Sequence, residues 1–362
     1  MKGYKKVAII HYWLVNMRGG EKVVEELCRM FPEADVFTHV YDPKSISETI
    51  SRHTVITSRI NKLPRAKKWY QNYLPLMPNA LAELDLRGYD LVISSESGPA
   101  KGVVTDPEAF HLCYCHTPMR YIWDMYRDYL ASLSPLKRAV FRRIAPYMRR
   151  YDLDSALAVD HFAANSSFVA KRIRKTYRRD ASVVHPPVDV EAFLDIERKP
   201  EDFYFFYGQL VGYKRLDIAI EACRIAGKTL VVIGGGAFPG SVPKHVDYLG
   251  YQPAEVVKDH FSRARALLFP GTEDFGIVPI EAAASGCPVI AYKRGGALET
   301  VINGKTGLHF AEQTPEALAV AMNELERLGG LQEDREIYRK LAMRFEASEF
   351  RKGIESCLGV EK

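Results

Sequence analysis

Residues 271–290, GTEDFGIVPIEAAASGCPVI, decide the fold of this 362-residue chain. A short apolar run, 266–269, predicts a strand that ends just before them. The alanine-rich run that starts near Pro279 predicts a helix, because proline is well tolerated in a first helical turn. Gly286 then ends the helix and Pro288 opens the next strand. The stretch therefore predicts a strand–loop–helix–strand unit of a parallel α/β sheet.

The loop of this unit carries groups suited to a phosphorylated sugar. In a doubly wound sheet, ligands bind at the carboxyl ends of the strands. The amides of Phe275, Gly276 and Ile277 point along the helix axis, and the helix dipole favours an anion there. Glu281, in the first turns of the helix, is predicted to accept hydrogen bonds from ribose hydroxyls, which leaves Glu273 for the sugar. Taken alone, Glu281 would be interpreted as a helix-start carboxylate and Glu273 as a solvated loop residue. Together in this strand–loop–helix frame they indicate a ligand site.

Apolar runs and helical patterns alternate on both sides of this stretch and predict two α/β units. In the first unit, strands are predicted at 7–11, 34–38, 91–94 and 111–115, with a helix over 19–30. In the second, strands are predicted at 203–208, 229–233, 246–249, 266–269 and 288–292, and helices at 216–226, 255–263, 278–285 and 314–328. Residues 59–88 and 120–158 break this rhythm and are predicted to be largely helical, facing the cleft or the acceptor.

The domain boundary is predicted near residue 188. The pair Pro186-Pro187 is stiff, because Pro187 restricts Pro186 to an extended geometry. The polar segment 196–202 follows, so the region is interpreted as an interdomain linker. The predicted domains are 1–188 and 189–337. The helical pattern over 338–362 is predicted to pack back on the first domain.

Bulk properties restrict the ligand class and the location. The net charge of +5 is a mild excess that suits phosphate-bearing ligands or an anionic membrane surface better than nucleic acid. The run 7–10 is too short for a signal sequence, and no stretch approaches the roughly 20 apolar residues that span a bilayer. The protein is therefore predicted to be cytoplasmic, either soluble or peripheral at the inner face of the cell membrane. The six cysteines form no Cys-x-x-Cys pair and indicate reduced, mostly buried thiols.

The segment 271–290 resembles the retaining glycosyltransferases of family 4, which have the GT-B fold. Their signature is two glutamates separated by seven residues, here Glu273 and Glu281. The segments 286–291 (GCPVIA), 295–301 (GGALETV) and 303–307 (NGKTG) also follow the family pattern, and the resemblance covers nearly the whole chain. It implies an α/β protein with two Rossmann-like domains facing a central cleft, of which 1–188 binds the acceptor and 189–337 binds the nucleotide sugar.

The resemblance also implies roles for individual residues. The first glutamate of the family contacts the donor sugar, which assigns that role to Glu273. The amides of Phe275, Gly276 and Ile277 are implied to hold sugar hydroxyls and phosphate. The second glutamate, Glu281, is implied to bind the ribose hydroxyls.

The segment 207–217, YGQLVGYKRLD, resembles the part of the family that neutralises the diphosphate. Lys214 takes the place of the family lysine and is assigned to catalysis and donor binding. The usual arginine is Gln209 here, a departure that removes one charge. Gln209 and Arg215 are both assigned to donor binding, and the sequence leaves open whether Arg215 replaces the family arginine, because the direction of its side chain is not given. A purely solvated role for Lys214 and Arg215 is disfavoured, because cations near a helix N-terminus oppose the dipole.

Two further positions match family motifs in the first domain. Gly19 and Gly20 follow the first strand and open a helix, where glycine lets the backbone approach a ligand. A glycine pair alone is nearly as typical of a tight turn. His116 follows a strand within CHTPMRY, residues 115–121, and is assigned a catalytic role in orienting the donor or moving a proton.

Metal sites are disfavoured at both places that suggest one, so no metal and no cofactor is predicted. Cys113 and Cys115 lie close to His111 and His116 in the sequence, but the fixed ligand spacings of zinc sites are absent. Residues 152–154 (DLD) match the Asp-x-Asp metal motif of the other major glycosyltransferase fold. They fall in a helical run, where side chains at i and i+2 point apart.

Residues 137–150 mix six cations with apolar side chains. A membrane-surface helix and an ordinary amphipathic helix explain them equally well. A second aromatic–basic patch at 67–70 (KKWY) favours a lipid-linked acceptor.

The resemblance is strongest to mannosyltransferases of surface polysaccharide synthesis. It implies retaining transfer of mannose from GDP-mannose, with UDP-sugars as the next choice, to a glycan or polyprenyl-linked saccharide. A sugar-nucleotide epimerase and a non-catalytic nucleotide-sugar-binding scaffold remain as alternatives. A nicotinamide dehydrogenase is disfavoured, because the glycine run 234–236 lacks the Gly-x-Gly-x-x-Gly spacing.

Overall fold

The computed structural model describes residues 3–331 and 334–359. The chain divides into two compact units. One contains the residues up to Pro187 together with those from Phe350 onward, and the other is Val188–Glu349. Each unit is built on its own sheet, in which all neighbouring strands are parallel.

Within the described residues, the first sheet has the strands β1 (Val7–His11), β2 (Asp35–Thr38), β3 (Val55–Thr57), β4 (Leu91–Glu96), β5 (Phe110–Cys115), β6 (His161–Ala164) and β7 (Ser182–Val183). Their spatial order is β3-β2-β1-β4-β5-β6-β7. The helices of this part of the chain are α1 (Gly19–Met30), α2 (Glu48–Ser51), α3 (Ala66–Trp69), α4 (Met77–Ala82), α5 (Tyr126–Ser132), α6 (Pro135–Leu157) and α7 (Ser167–Tyr177).

The second sheet comprises β8 (Phe203–Tyr207), β9 (Thr229–Ile233), β10 (Val246–Gly250), β11 (Leu267–Phe269), β12 (Val289–Tyr292) and β13 (Gly307–Phe310), in the order β10-β9-β8-β11-β12-β13. The remaining helices are α8 (Glu191–Leu194), α9 (Leu216–Ala226), α10 (Ala254–Arg263), α11 (Ile277–Ala284), α12 (Ala297–Thr300), α13 (Pro315–Arg327), α14 (Arg335–Met343) and α15 (Ala347–Leu358). No described helix combines the length and the apolar character needed to cross a bilayer.

Both faces of each sheet are covered, which explains why the strands are apolar runs rather than alternating patterns. In β8, Phe203 and Phe205 pack on one face with residues of α11 and α14, while Tyr204 and Phe206 pack on the other with α9 and α13. All five residues of β1 are buried. Two-sided burial is the arrangement expected of a Rossmann-like unit.

The strand order places a crevice at a defined point in each sheet. The chain leaves β1 toward β2 on one side and later returns to add β4 on the other side. In the second unit, β8 is followed by β9 on one side and has β11 as its other neighbour. Ligands of such sheets bind at the carboxyl ends of the strands where the order reverses. Ligand-binding residues are therefore expected in the segments after β1, β4, β8 and β11.

The division of the chain differs from the sequence prediction in two places. Residues 196–202, predicted to be part of the linker, belong to the second unit, where the Lys199 amide donates to the Ser262 carbonyl at 2.9 Å and Glu201 to Arg263 at 2.7 Å. The segment 338–362, predicted as one returning helix, contains two: α14 packs in the core of the second unit and α15 in that of the first. Residues 360–362 lie outside the described residues.

Candidate active site

Lys214 and Glu273 form an ion pair at the carboxyl edge of the second sheet. After β8 the chain makes a 3-10 turn, Gly212–Lys214, and after β11 it enters the loop 270–276. Because β8 and β11 are neighbours, these segments meet, and Lys214 Nζ lies 2.6 Å from Glu273 Oε1. The two side chains are 12% and 18% exposed, so the pair is largely shielded and still accessible. The two residues assigned to catalysis in this domain are therefore in direct contact.

The backbone of Glu273 is held by the turn at Gly295-Gly296. The amide of Gly296 donates to the carbonyl oxygen of Glu273 at 2.9 Å. Gly295 has φ +74°, and a Cβ atom at this position would lie 2.3 Å from the same oxygen. No side chain fits there, which gives a physical reason for the Gly295-Gly296 pair. The turn fixes the loop that carries Glu273.

Helix α11 begins directly after this loop. Gly276 precedes it with φ +96°, a conformation that favours glycine. The helix starts at Ile277, so Pro279 is its third residue and the predicted start near Pro279 was about two residues late. The Phe275 ring is buried, with its centroid 5.4 Å from that of Phe345. Any contact of Phe275 with a ligand must therefore come from its backbone, as the sequence predicts.

Glu281, in the second turn of α11, carries a buried oxygen without a partner. Its Oε2 atom has no hydrogen-bond donor among the described residues. Burial raises the pKa of Glu281 to about 7, against a lowering effect of Lys214 and with a smaller raising effect of Asp189. A buried carboxylate oxygen without a donor is unfavourable unless a ligand supplies one. This arrangement fits a hydroxyl-bearing ligand such as ribose.

Arg215, predicted to bind the donor, is paired with a neighbouring carboxylate in the structure. Its backbone is left-handed, with φ +57°, and it precedes α9. Its guanidinium donates to both carboxylate oxygens of Asp217 at 2.8–3.1 Å, so its charge is already paired. Gln209 is exposed and lies beside Gly235. Of these three residues, only Lys214 is brought to Glu273.

In the first unit, the predicted Gly19-Gly20 pair begins α1, which follows β1 after the loop 12–18. Glu21 closes the first turn, because its Oε2 atom accepts the Arg18 amide at 3.1 Å. Burial raises the pKa of Glu21 to about 7. A Cβ atom built on Gly20 would lie 3.4 Å from the His11 ring, so the start of α1 lies at the carboxyl end of β1.

His116 directly follows β5 and is hydrogen-bonded to Ser95, a residue that the sequence analysis did not identify. Its Nε2 atom lies 2.8 Å from Ser95 Oγ, and that hydroxyl lies 3.0 Å from Nδ1 of His11. Burial lowers the pKa of His116 to about 4, so the ring is neutral at physiological pH. His11 ends β1 and Ser95 lies one residue before the end of β4. Ser95 and His11 could have been identified from the sequence as polar residues at the ends of buried strands.

Cys113, Cys115 and Asp152 come from the two sequence segments that suggest a metal site, and all three are buried. No group of three or more His, Cys, Asp or Glu side chains is placed to hold a metal within 3–331 and 334–359. Cys113 and Cys115 are buried in β5 and pack in one cluster. Asp152 is buried in an ion-pair cluster with Lys101 and Glu96, and also accepts the Trp123 indole N–H at 2.7 Å. Sequence reasoning did not anticipate this cluster.

Two family models match consecutive parts of the chain. The model described as "Glycosyltransferase Family 4" matches residues 17–192, and that described as "Glycosyl transferases group 1" matches 191–342. The chain belongs to glycosyltransferase family 4. The predicted family is thereby confirmed.

Curated relatives are similar at modest identity. One is a GDP-mannose-dependent alpha-(1-6)-phosphatidylinositol monomannoside mannosyltransferase of Mycolicibacterium smegmatis, 28% identical over 229 residues, which cover 54% of this chain and 57% of the relative. Another is the alpha-1,3/1,6-mannosyltransferase alg2 of Schizosaccharomyces pombe, 27% identical over 253 residues, which cover 54% of this chain and 47% of the relative. The match thus spans about half the length of these relatives.

Solved structures confirm the predicted GT-B fold with two Rossmann-like domains. Anabaena Alr3699/HepE in complex with UDP and glucose has a TM-score of 0.67 at 16% identity, covering 98% of this chain and 99% of the other. WaaG, a glycosyltransferase involved in lipopolysaccharide biosynthesis, also has a TM-score of 0.67 at 16% identity, covering 98% and 100%. At this identity the likeness concerns the fold.

Proposed function

We propose that the protein is a retaining hexosyltransferase that moves mannose from GDP-mannose to a hydroxyl of a glycan or lipid-linked saccharide. The observation that carries this proposal is the Lys214–Glu273 contact of 2.6 Å. In a sugar nucleotide, the diphosphate is bonded directly to the sugar. A cation and a carboxylate side by side match that junction, because the cation faces the phosphate and the carboxylate accepts sugar hydroxyls.

The proposed reaction uses charge stabilisation rather than a protein nucleophile. The acceptor oxygen bonds to the anomeric carbon while the bond from that carbon to the diphosphate oxygen breaks. The leaving diphosphate takes up the negative charge beside Lys214 and the start of α11, and one of its oxygens receives the acceptor proton. Preorganised donors aimed at developing charge are usually the largest catalytic contribution. Attack on the face that the nucleotide leaves retains the anomeric configuration.

We propose GDP-mannose because two curated relatives to which the chain is similar are named as mannosyltransferases, one of them GDP-mannose-dependent. UDP-sugars are the next choice, since HepE, which shares the fold, was solved with UDP and glucose. The reaction is also proposed to need no metal, since Lys214 and the dipole of α11 supply positive charge at the diphosphate.

A ligand panel and a transfer assay test the proposal. Among GDP, UDP and ADP sugars, GDP-mannose should raise the melting temperature most, because selective binding to the native state stabilises it by mass action. Transfer to a lipid-linked saccharide should persist with excess chelator. Conversion of the donor sugar without acceptor would instead support the epimerase, and donor binding without any turnover would support the scaffold. Activity that chelator abolishes and manganese restores would overturn the metal-free mechanism.

Glu281 should make GDP binding depend on pH. Hydroxyls bind best to the ionised carboxylate, and the pKa of Glu281 in the free protein is raised to about 7. GDP affinity should therefore rise as pH increases from 6 to 8, up to about tenfold, because a larger fraction of Glu281 is already ionised before GDP binds. Isothermal titration calorimetry measures this dependence.

The Glu281→Gln variant serves as the matched control. The GDP phosphate itself titrates, so the quantity to compare is the difference in pH slope between the two proteins. The variant should bind GDP more weakly at pH 8 and lose the part of the slope that Glu281 contributes. Equal affinity and equal slope would refute the ribose assignment.

We further propose that α6 contacts an anionic membrane. Its inner face is buried through Phe141, Ala145 and Met148, which satisfies the ordinary amphipathic pattern. A second stripe at helical spacing, 136–140–143–147, stays exposed and includes Leu136 at 76% and Val140 at 50%. Apolar side chains flanked by arginines are typical of helices that lie on anionic lipid.

Substituting this stripe should release the protein from vesicles. The double variant Leu136→Ser/Val140→Ser should lower binding to phosphatidylserine-containing vesicles about tenfold or more, since each side chain loses about 1–2 kcal/mol of apolar burial. Val320→Ser removes a comparably exposed valine on α13 and should bind as the wild type does. Co-sedimentation with and without phosphatidylserine measures both, and equal binding by all three proteins would exclude α6 as the contact.

A further inference from the structure

Three buried or half-buried side chains form a hydrogen-bonded chain beneath the first unit's crevice. His11 Nδ1 lies 3.0 Å from Ser95 Oγ, and the same oxygen lies 2.8 Å from His116 Nε2. His11 and Ser95 are fully buried, and His116 is half-buried. One serine hydroxyl therefore links two imidazole rings.

The number of protons limits how this chain can be arranged. A serine hydroxyl has one proton to donate, and each neutral imidazole has one N–H. No other hydrogen-bond partner of Ser95 Oγ exists among the described residues. If both rings donated to Oγ, its own proton would remain unused. The chain therefore runs in one direction or the other.

The two directions give the rings matching tautomers. In the first, His11 Nδ1–H donates to Ser95, Ser95 donates to His116 Nε2, and His116 keeps its proton on Nδ1. In the second, His116 Nε2–H donates to Ser95, Ser95 donates to His11 Nδ1, and His11 carries its proton on Nε2. The Nδ1 atom of His116, which is not bonded to Ser95, is thus a hydrogen-bond donor in the first direction and an acceptor in the second.

The surroundings of His11 favour the first direction. Its Nε2 atom is buried and has no partner among the described residues, so a proton placed there would lack an acceptor. The same atom lies beside the start of α1, since a Cβ atom built on Gly20 would be 3.8 Å from it. The positive end of a helix dipole favours a lone pair over an N–H group at that position.

Both rings are neutral at physiological pH, as this scheme requires. Burial, with a smaller contribution from His116, lowers the pKa of His11 well below its usual value. Burial also lowers the pKa of His116 to about 4. Neither ring therefore carries a second N–H at physiological pH, and the count of one N–H per ring holds.

We infer that Ser95 is a positioning residue that holds His116 in the Nδ1–H tautomer, so that His116 presents a hydrogen-bond donor to its ligand. The consequence for catalysis rests on the proposed function. His116 then orients an oxygen of the sugar donor or acceptor and is not the general base. This agrees with a mechanism in which a diphosphate oxygen receives the acceptor proton.

Nuclear magnetic resonance of ¹⁵N-histidine-labelled protein tests the tautomers without any substrate. Long-range ¹H–¹⁵N spectra, assigned with His11→Gln and His116→Gln, should show both rings protonated on Nδ1 in the wild type. In Ser95→Ala, the His116 ring should become a mixture of tautomers, and Ser95→Thr should restore the wild-type pattern. Protonation of His116 on Nε2 in the wild type would overturn the inference, even if Ser95→Ala did not fold.

The neighbouring serine offers a matched control. Ser94 is also buried in β4, and its Oγ atom lies 2.9 Å from Nε2 of His111. Ser94→Ala should alter the signals of His111 and leave those of His116 unchanged. If Ser94→Ala and Ser95→Ala changed His116 alike, the effect would come from general disturbance of the strand, and the inference would fail.

Kinetics give a second readout. Ser95→Ala should lower kcat/KM for sugar transfer about tenfold, the loss of one oriented hydrogen bond, and Ser95→Thr should regain most of it. Unchanged kcat/KM in Ser95→Ala would contradict the positioning role. If the wild type transfers no sugar, the proposed function fails while the tautomer measurement still decides the state of His116.

Discussion

Replacing Lys214 with alanine is expected to lower kcat for sugar transfer by about 10²–10³-fold, the usual effect of removing one preorganised donor from a developing negative charge. Lys214 is the cation that the structure brings into contact with Glu273, at 2.6 Å. Its loss would leave the leaving diphosphate without a side-chain cation at this position. Steady-state kinetics with saturating donor measures the effect.

Arg215→Ala is the control for this prediction, because it removes an adjacent charge of the same sign. The Arg215 guanidinium is already paired with Asp217, and exposed pairs of this kind contribute little. We expect kcat to change by less than about threefold. An equal loss of kcat in the two variants would show that Arg215 binds the diphosphate, as the sequence predicts. Its ion pair with Asp217 would then break when the ligand binds.

Lys214→Ala should also change the titration of Glu281. The charge of Lys214 lowers the pKa of Glu281 against the effect of burial, so its removal should raise that pKa further above about 7. The pH at which GDP binding strengthens should then move upward. Calorimetry on the variant measures this shift independently of turnover, and an unchanged pH profile would mean that the two side chains are not coupled.

The sequence predicts regular elements best where burial and local signals agree. The ranges of β1, α1, α9 and β9 match the structure residue for residue, because each is a continuous apolar run or a clear helical stripe. The strands β3, β6, β7 and β13 were not predicted. β3, β7 and β13 are edge strands and β6 lies next to β7. All four have only two to four residues, so partner strands rather than local pattern determine them.

The candidate site divides in the same way. The sequence predicts Glu273, Glu281 and Lys214 as site residues because they fall in dense motifs with a clear strand–loop–helix pattern. Arg215 was assigned from its position alone, and the left-handed backbone that turns it toward Asp217 leaves no sequence signal. Contacts made across the sheet, such as Ser95 to His116, depend on strand order, which the linear sequence does not state.

The largest expected effect on stability comes from Lys101. Its ammonium is fully buried between Glu96, with Nζ 3.2 Å from Oε1, and Asp152, which it also contacts directly. Burial alone would lower the pKa of Lys101, but the two carboxylates outweigh it and hold the pKa well above its usual value. Lys101→Met should therefore reduce the free energy of unfolding by about 3–5 kcal/mol, because it leaves buried acidic groups without their cation. Urea denaturation measures the loss.

The pH dependence separates this electrostatic cause from a packing defect. Burial raises the pKa of Glu96, with Lys101 opposing the rise, so the variant should raise it further. A carboxyl whose pKa is raised by folding destabilises the native state above its unfolded pKa, and the penalty grows with pH until the folded pKa is passed. The deficit of Lys101→Met should thus shrink as pH falls toward 4.5, whereas a cavity would cost the same at every pH. Lys137→Met, the same change at an exposed position, should stay within about 0.5 kcal/mol of the wild type throughout.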